Sequence, residues 1–330
     1  MPQVLNNASC DDGQQNCRDE ELFSNRESKH QTFFLFAPHH TWVDAAVQRL
    51  MNDSSGRFWL GWMPLFCASA YGLLLPAMCL TASDKPLSAQ EQFATDMKSA
   101  QRAQSQALVS ADAADVERVR KIYADLIAKY PQSPDPRAAF GEFLASQGHD
   151  VEARQQWQEA LKIDPDRADI YAAESGIVLR AGNTVEATRF MELAVEKAPT
   201  NASYHFGLAH LYFLFRHDLV PVRKTTETAM FAIALDHFRK AAELAPMDAD
   251  YARAYAETFY SLPNADWHAA LAAWKKLLPL TNEPSFVHAQ MARVSLRLKN
   301  KSAARHHLAQ VTDPQFATLK KTLQRQLDAL

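Results

Sequence analysis

One spacing constrains this chain more than any other feature. Ala153, Trp157 and Ala160 fall at i, i+4 and i+7, and thirty-four residues on the same offsets hold Ala187, Met191 and Ala194. The pattern returns as Ala234, Phe238 and Ala241, as Ala270, Trp274 and Leu277, and as Ala304, Leu308 and Val311, with Tyr123 and Leu126 upstream. Positions four and seven apart share one helical face, so each triplet reads as a helix carrying a large side chain between two alanines. A neighbouring helix can then approach closely on both sides of one knob. Gly148 and Gly182 precede these helices where the chain must turn, since glycine alone enters the left-handed region cheaply. Asp150 is placed to cap the helix that follows Gly148. Pro131, Pro165, Pro199 and Pro246 close units, because proline cannot continue a helix.

A 34-residue period of this kind resembles the tetratricopeptide repeat. Phe140, Gly141 and Leu144 stand where that family places a large residue, a small residue and an aromatic, and Tyr171 takes its early aromatic position. The resemblance spans roughly residues 88 to 330. It implies an all-α fold, a tetratricopeptide-repeat α-α superhelix (solenoid) of about five to six helix pairs plus a C-terminal capping helix. That last helix carries Phe316, Leu319, Leu323 and Leu327 on one face. The expected repeat core is Gly141, Gly148, Ala153, Trp157, Ala160, Tyr171, Ala187, Ala194, Ala234, Phe238, Ala241, Ala270, Trp274 and Ala304. No single hairpin buries its apolar face, so stability comes from stacking.

The period breaks once strongly. Pro199 to Pro246 is 47 residues, with the extra material around residues 216 to 228. Pro221 suits the first turn of a helix, which predicts a second helix extended by two or three turns, a long inter-helix loop being the alternative. Either form is expected to project from the solenoid rim. A shorter insertion lies near Leu262, Pro263 and Asn264.

The front of the chain divides differently. Residues 1–56 show no sustained period and read as a poorly structured segment, or as an extension preceding a true start at Met51. Residues 57–82 read as a signal peptide or a membrane anchor, because residues 58–80 carry no charge, Arg57 precedes them and small residues follow. Residues 83–330 form the repeat solenoid. The expected location is therefore exported, periplasmic or envelope-associated, or else membrane-anchored. All four cysteines (Cys10, Cys17, Cys67 and Cys79) precede the repeats, which must hold together by helix packing alone.

Chemistry is hard to find. With 35 basic and 38 acidic residues no bulk field points to nucleic acid. The basic residues of the last third have only Phe286 and Phe316 for stacking among them, so no nucleic-acid partner is expected. His205 and His210 are five apart and His306 and His307 adjacent, neither a ligand spacing, and no metal site or cofactor is expected. No phosphate loop or nucleophile elbow occurs, and the chain reads as no enzyme. The resemblance implies instead a groove lined by the first helices of the pairs and receiving a segment of a protein or peptide partner. Its expected lining includes Asp135, Ala138, Glu142 and Ala145, then Asp169, Ala172, Gly176, Leu179 and Arg180. Phe206, His210 and Phe213 follow, then Arg253, Glu257 and Tyr260, then Ala289, Arg293 and Leu296. Ala138 and Glu142 stand where some family members clamp a C-terminal carboxylate with lysine and asparagine, so that activity does not carry over. The expected function is a non-catalytic protein–protein interaction scaffold. A membrane-anchored subunit that self-associates and a regulatory repeat domain of an enzyme complex are the alternatives.

Overall fold

A computed structural model describes residues 87–330, and they fold as fourteen α-helices with two short 3-10 turns. The pairs are α1 (Ala89–Ser110) with α2 (Ala113–Lys129), α3 (Asp135–Ser146) with α4 (Asp150–Ile163), and α5 (Ala168–Arg180) with α6 (Thr184–Lys197). Next come α7 (Ala202–Leu214), a short α8 (Arg216–Arg223) and α9 (Glu227–Leu244). Then α10 (Ala249–Thr258) pairs with α11 (Trp267–Leu277), and α12 (Pro284–Arg297) with α13 (Lys301–Ala309), before a last helix α14 (Ala317–Asp328). The readings made for residues 1–56 and 57–82 lie outside the described residues. Among the described residues no helix is long and apolar enough to cross a membrane.

Local chemistry sets the helix ends. Ser88 and Glu91 form a reciprocal capping box, and Asp112, Asn183, Asn201, Thr226, Asp248, Asp266 and Asn300 each accept a backbone N–H of the following helix. Asp150 departs from expectation. It is the first residue of α4 behind His149, which makes no capping bond, and its carboxylate instead pairs with Arg180 at 3.0 Å. Gly148 and Gly182 sit at φ 79° and 83°, and the same turn at the end of α12 is made by Lys299 at φ 55°. In all three the next residue's N–H reaches back to a carbonyl of the last helical turn, as in a Schellman ending.

The core is a row of small residues on the first helices facing a row of large ones on the second. Gly141, Ser175, Ala209, Ala256 and Ala292 are all buried, as are Trp157, Met191, Phe238, Trp274 and Leu308. In the first of these pairs the fit is tightest. A Cβ on Gly141 would sit within 2.8 Å of three atoms of the Trp157 indole, whose Nε1 donates to Ala138 O at 3.1 Å. The expected core positions Ala153, Ala160, Ala187, Ala194, Ala234, Ala241, Ala270 and Ala304 are completely inaccessible. Tyr171 stays half-buried, its hydroxyl donating to Pro165 O at 3.2 Å. Buried polar groups tie the pairs together: Glu174 accepts from Arg154 at 2.6 Å and Ser175 donates to Ala187 O at 2.7 Å. Over the open end, α14 buries Leu323 and Leu327, with Phe316 and Leu319 packed beside them.

The insertion differs from both forms predicted for it. Pro221 lies inside α8, a separate helix, and not in the first turn of α9, whose 18 residues exceed the 14 of α6. Nor does α8 project. Leu219 is fully buried, Thr184 donates to Asp218 at 2.8 Å, and Arg223 meets Glu192 at 2.5 Å while lying over the Tyr212 ring. One apolar anchor and two polar ties to α6 outweigh the solvation that a projecting loop would gain.

Two histidine pairs join first to second helices. His205 Nδ1 lies 2.9 Å from His237 Nδ1, with His205 Nε2 on Pro199 O, and His288 Nδ1 lies 3.3 Å from His307 Nδ1. Each pair needs one ring to accept, so the neutral forms fit and a doubly charged pair does not. Desolvation first, then the neighbouring ring, holds His237 and His307 down to about 4.

Two outcomes follow. Alanine at 141 gains about 1 kcal/mol of helix propensity but meets the indole, and overpacking of this kind costs about 1–3 kcal/mol. Gly141→Ala should therefore be net destabilising in urea titration, Trp157→Ala should cost about 3–5 kcal/mol, and the two should not add. The second concerns acid. Histidines held below their ordinary value bind fewer protons folded than unfolded, so their stabilisation is complete above about pH 6.5 and drains away as pH falls towards 4. Urea midpoints should drop across that window, with His237→Gln and His307→Gln each removing about 1 kcal/mol of the loss after allowance for solvent.

Candidate functional site

Because the small row of each first helix turns towards its own second helix, the neighbouring face, about 100° round the helix, is left for something else. One position on each first helix from α3 onward shows this: Glu142, Gly176, His210, Glu257 and Arg293 recur along α3, α5, α7, α10 and α12, and none is buried. One turn to either side the ends of the array close. Ala138, Ala145, Ala172, Ala289 and Leu296 are buried and pack rather than line a surface. The middle stays open, with Leu179, Arg180, Phe206, Phe213, Arg253 and Tyr260 partly or wholly accessible.

At the front, Arg167 bridges Asp135 at 2.7 Å and Asp169 at 2.6 Å. Glu142 lies beside them without any hydrogen bond or ion pair among the described residues. Desolvation, with Asp169 adding repulsion against the relief from Arg167, pushes its carboxyl up to about 7. Arg180, expected in the groove, is drawn aside to Asp150.

In the middle the predicted Phe206 and His210 come together, ring centroids 4.3 Å apart, and Phe206 also meets Tyr251 of the next pair at 4.4 Å. Phe238 from α9 supports both from beneath. His210 Nδ1 lies 3.0 Å from Phe206 O, so it carries the proton and leaves Nε2 with a lone pair. Protein atoms crowding this partly accessible ring desolvate it and lower its affinity for a second proton, against the pull of the Phe206 carbonyl. Phe213 does not join the group. It packs edge-on against Phe231, and its carbonyl accepts from Arg216 at 3.0 Å.

At the rear Tyr260 donates to Gln290 at 3.1 Å under the guanidinium of Arg293, 4.9 Å from the ring centre. Arg253 pairs with Glu283 at 2.8 Å across the face of Phe286. Arg297 covers Trp267 in the same way. Sequence reading found too few aromatics among these arginines because Tyr260 and Trp267 belong to the preceding pair. Glu257 is exposed yet desolvated enough to raise its carboxyl. A side chain that solvent reaches but protein atoms surround is what a groove wall produces.

Some features here gave no signal in the sequence. Gln290 and the buried Glu174 look like ordinary helix-surface residues, and the histidine pairs span two helices, so no local spacing reveals them. Among the described residues no group of three or more histidine, cysteine, aspartate or glutamate side chains gathers as a metal site would. The open row and its neighbours offer charged groups, clustered aromatic rings and arginines laid over rings.

Comparison with known proteins places little beside this chain by sequence. No family model matches it, and no curated protein does. Among solved structures it is similar to YrrB, described as a TPR protein with an unusual peptide-binding site, at 16% identity over 62% of this chain and 97% of that one, TM-score 0.47. Another is PilF of Pseudomonas aeruginosa, at 13% identity over 70% and 99% of the two chains, TM-score 0.45. A third is MamA of Desulfovibrio magneticus, at 17% identity over 56% and 94%, TM-score 0.40. Likenesses this distant carry none of the weight. The helix pairs, their 34-residue period and the fit of Trp157 against Gly141 do so, and on these grounds residues 87–330 have the tetratricopeptide-repeat fold, an all-α solenoid of six helix pairs and a capping helix.

Proposed function

We propose that this protein is a non-catalytic interaction scaffold whose groove takes a segment of a protein partner. The observation that carries the reading is the open row from Glu142 to Arg293, accessible in each first helix from α3 to α12 while the residues around it at both ends are packed. A row meant only for packing would close in the same way along its whole length. The rings of Phe206, Tyr251 and Tyr260 supply contact area at low rotamer cost, as interaction hot spots do. The uncharged residues 58–80 support delivery to, or anchoring at, a membrane.

A photo-crosslinking amino acid at His210 or Tyr260 should capture a discrete protein species in native extracts, and the same probe at the exposed Val151 or Met247 should not. Equal labelling from all four positions would defeat the groove reading. Residues 51–90 fused to a reporter should carry it out of the cytoplasm, and retention inside would defeat the export reading.

A further inference from the structure

Along the open row the one arginine, Arg293, already lies on the Tyr260 ring. Glu142 and Glu257 each present a carboxylate with no hydrogen bond or ion pair among the described residues, while the arginines beside them are committed elsewhere. Arg167 is held by Asp135 and Asp169, and Arg253 by Glu283 and the Phe286 ring. Between the two carboxylates lie Phe206, Tyr251 and His210, the last a neutral ring whose Nδ1 proton is already given to a carbonyl. A carboxylate withdrawn from water without a donor is satisfied by a cation and repelled by an anion. Apolar floor between two anionic walls favours an apolar side chain flanked by basic ones.

We propose that the segment taken by the groove carries a lysine or arginine opposite each of Glu142 and Glu257, and an apolar or aromatic side chain over the Phe206–His210–Tyr251 rings. This rests on the groove reading and narrows it to a basic partner segment. The raised carboxyls agree with it. Glu142 faces Asp169, Arg167 and the Tyr123 hydroxyl, and Glu257 faces Arg253 and Tyr260. An arriving cation restores the ionised form of Glu142, so binding near neutral pH should release a proton.

The test is selection of a random dodecapeptide library on the immobilised full chain, followed by fluorescence anisotropy with the enriched peptides. Enrichment of lysine or arginine on both sides of an apolar residue is expected. Glu142→Gln and Glu257→Gln should each weaken such a peptide by about tenfold with melting not lowered, and Glu257→Lys should select acidic replacements in place of basic ones. Enriched peptides without basic residues, or peptides that bind the glutamine variants unchanged, would overturn this inference and leave the groove reading standing. If no enriched peptide depends on Phe206 or Tyr260, tested as Phe206→Ser and Tyr260→Ser, both readings fall.

Discussion

Everything described here depends on one contact repeated: a small residue on the first helix of a pair against a large one on the second. Trp157 over Gly141 is the tightest instance, because glycine leaves room for the whole indole and the backbone of the same helix accepts its N–H. Where the small residue is alanine or serine the knob changes to methionine, phenylalanine, leucine or a second tryptophan, and the alanines flanking it stay inaccessible. In an array stabilised through neighbours, each such fit holds two units as well as one hairpin. It also decides which face of the first helix is left over.

That leftover face explains why the open row is uneven. At both ends alanines beside the open row are small enough for the next helix to cover, so the surface narrows to the row itself. In the middle, Phe206 and Tyr260 are too large to be covered and stand as partly exposed rings, with arginines of the rear pairs lying across the aromatic faces. Charge follows the same geometry. Arg167 and Arg253 each reach a carboxylate of a neighbouring pair, while Glu142 and Glu257 have no hydrogen bond or ion pair among the described residues. The thirteen residues added between α7 and α9 do not disturb this side, since α8 folds back onto α6 through Leu219, Asp218 and Arg223.

Much of the architecture was legible from residue order, and for a local reason. Helix period and the turn glycines 148 and 182 are set within a few residues of each other. The inserted helix was misjudged for a matching reason: Pro221 is compatible with the first turn of one helix or the body of another, and only the buried Leu219 chooses. Asp150 was misjudged because a capping carboxylate and an ion-pairing one look alike until Arg180 is in place.

The sequence by itself determined that the chain from residue 88 onward is a stack of helix hairpins with a knob on every second helix. Those facts depend on spacings of four, seven and thirty-four residues, which survive without knowledge of distant contacts. Only the tertiary structure decided which groove residues remain open. Exposure at Ala138, Phe206 or Glu257 is settled by the helix of another pair, and no local pattern encodes how far that neighbour reaches. The histidine pairs belong to the same class, since each joins residues 19 or more positions apart.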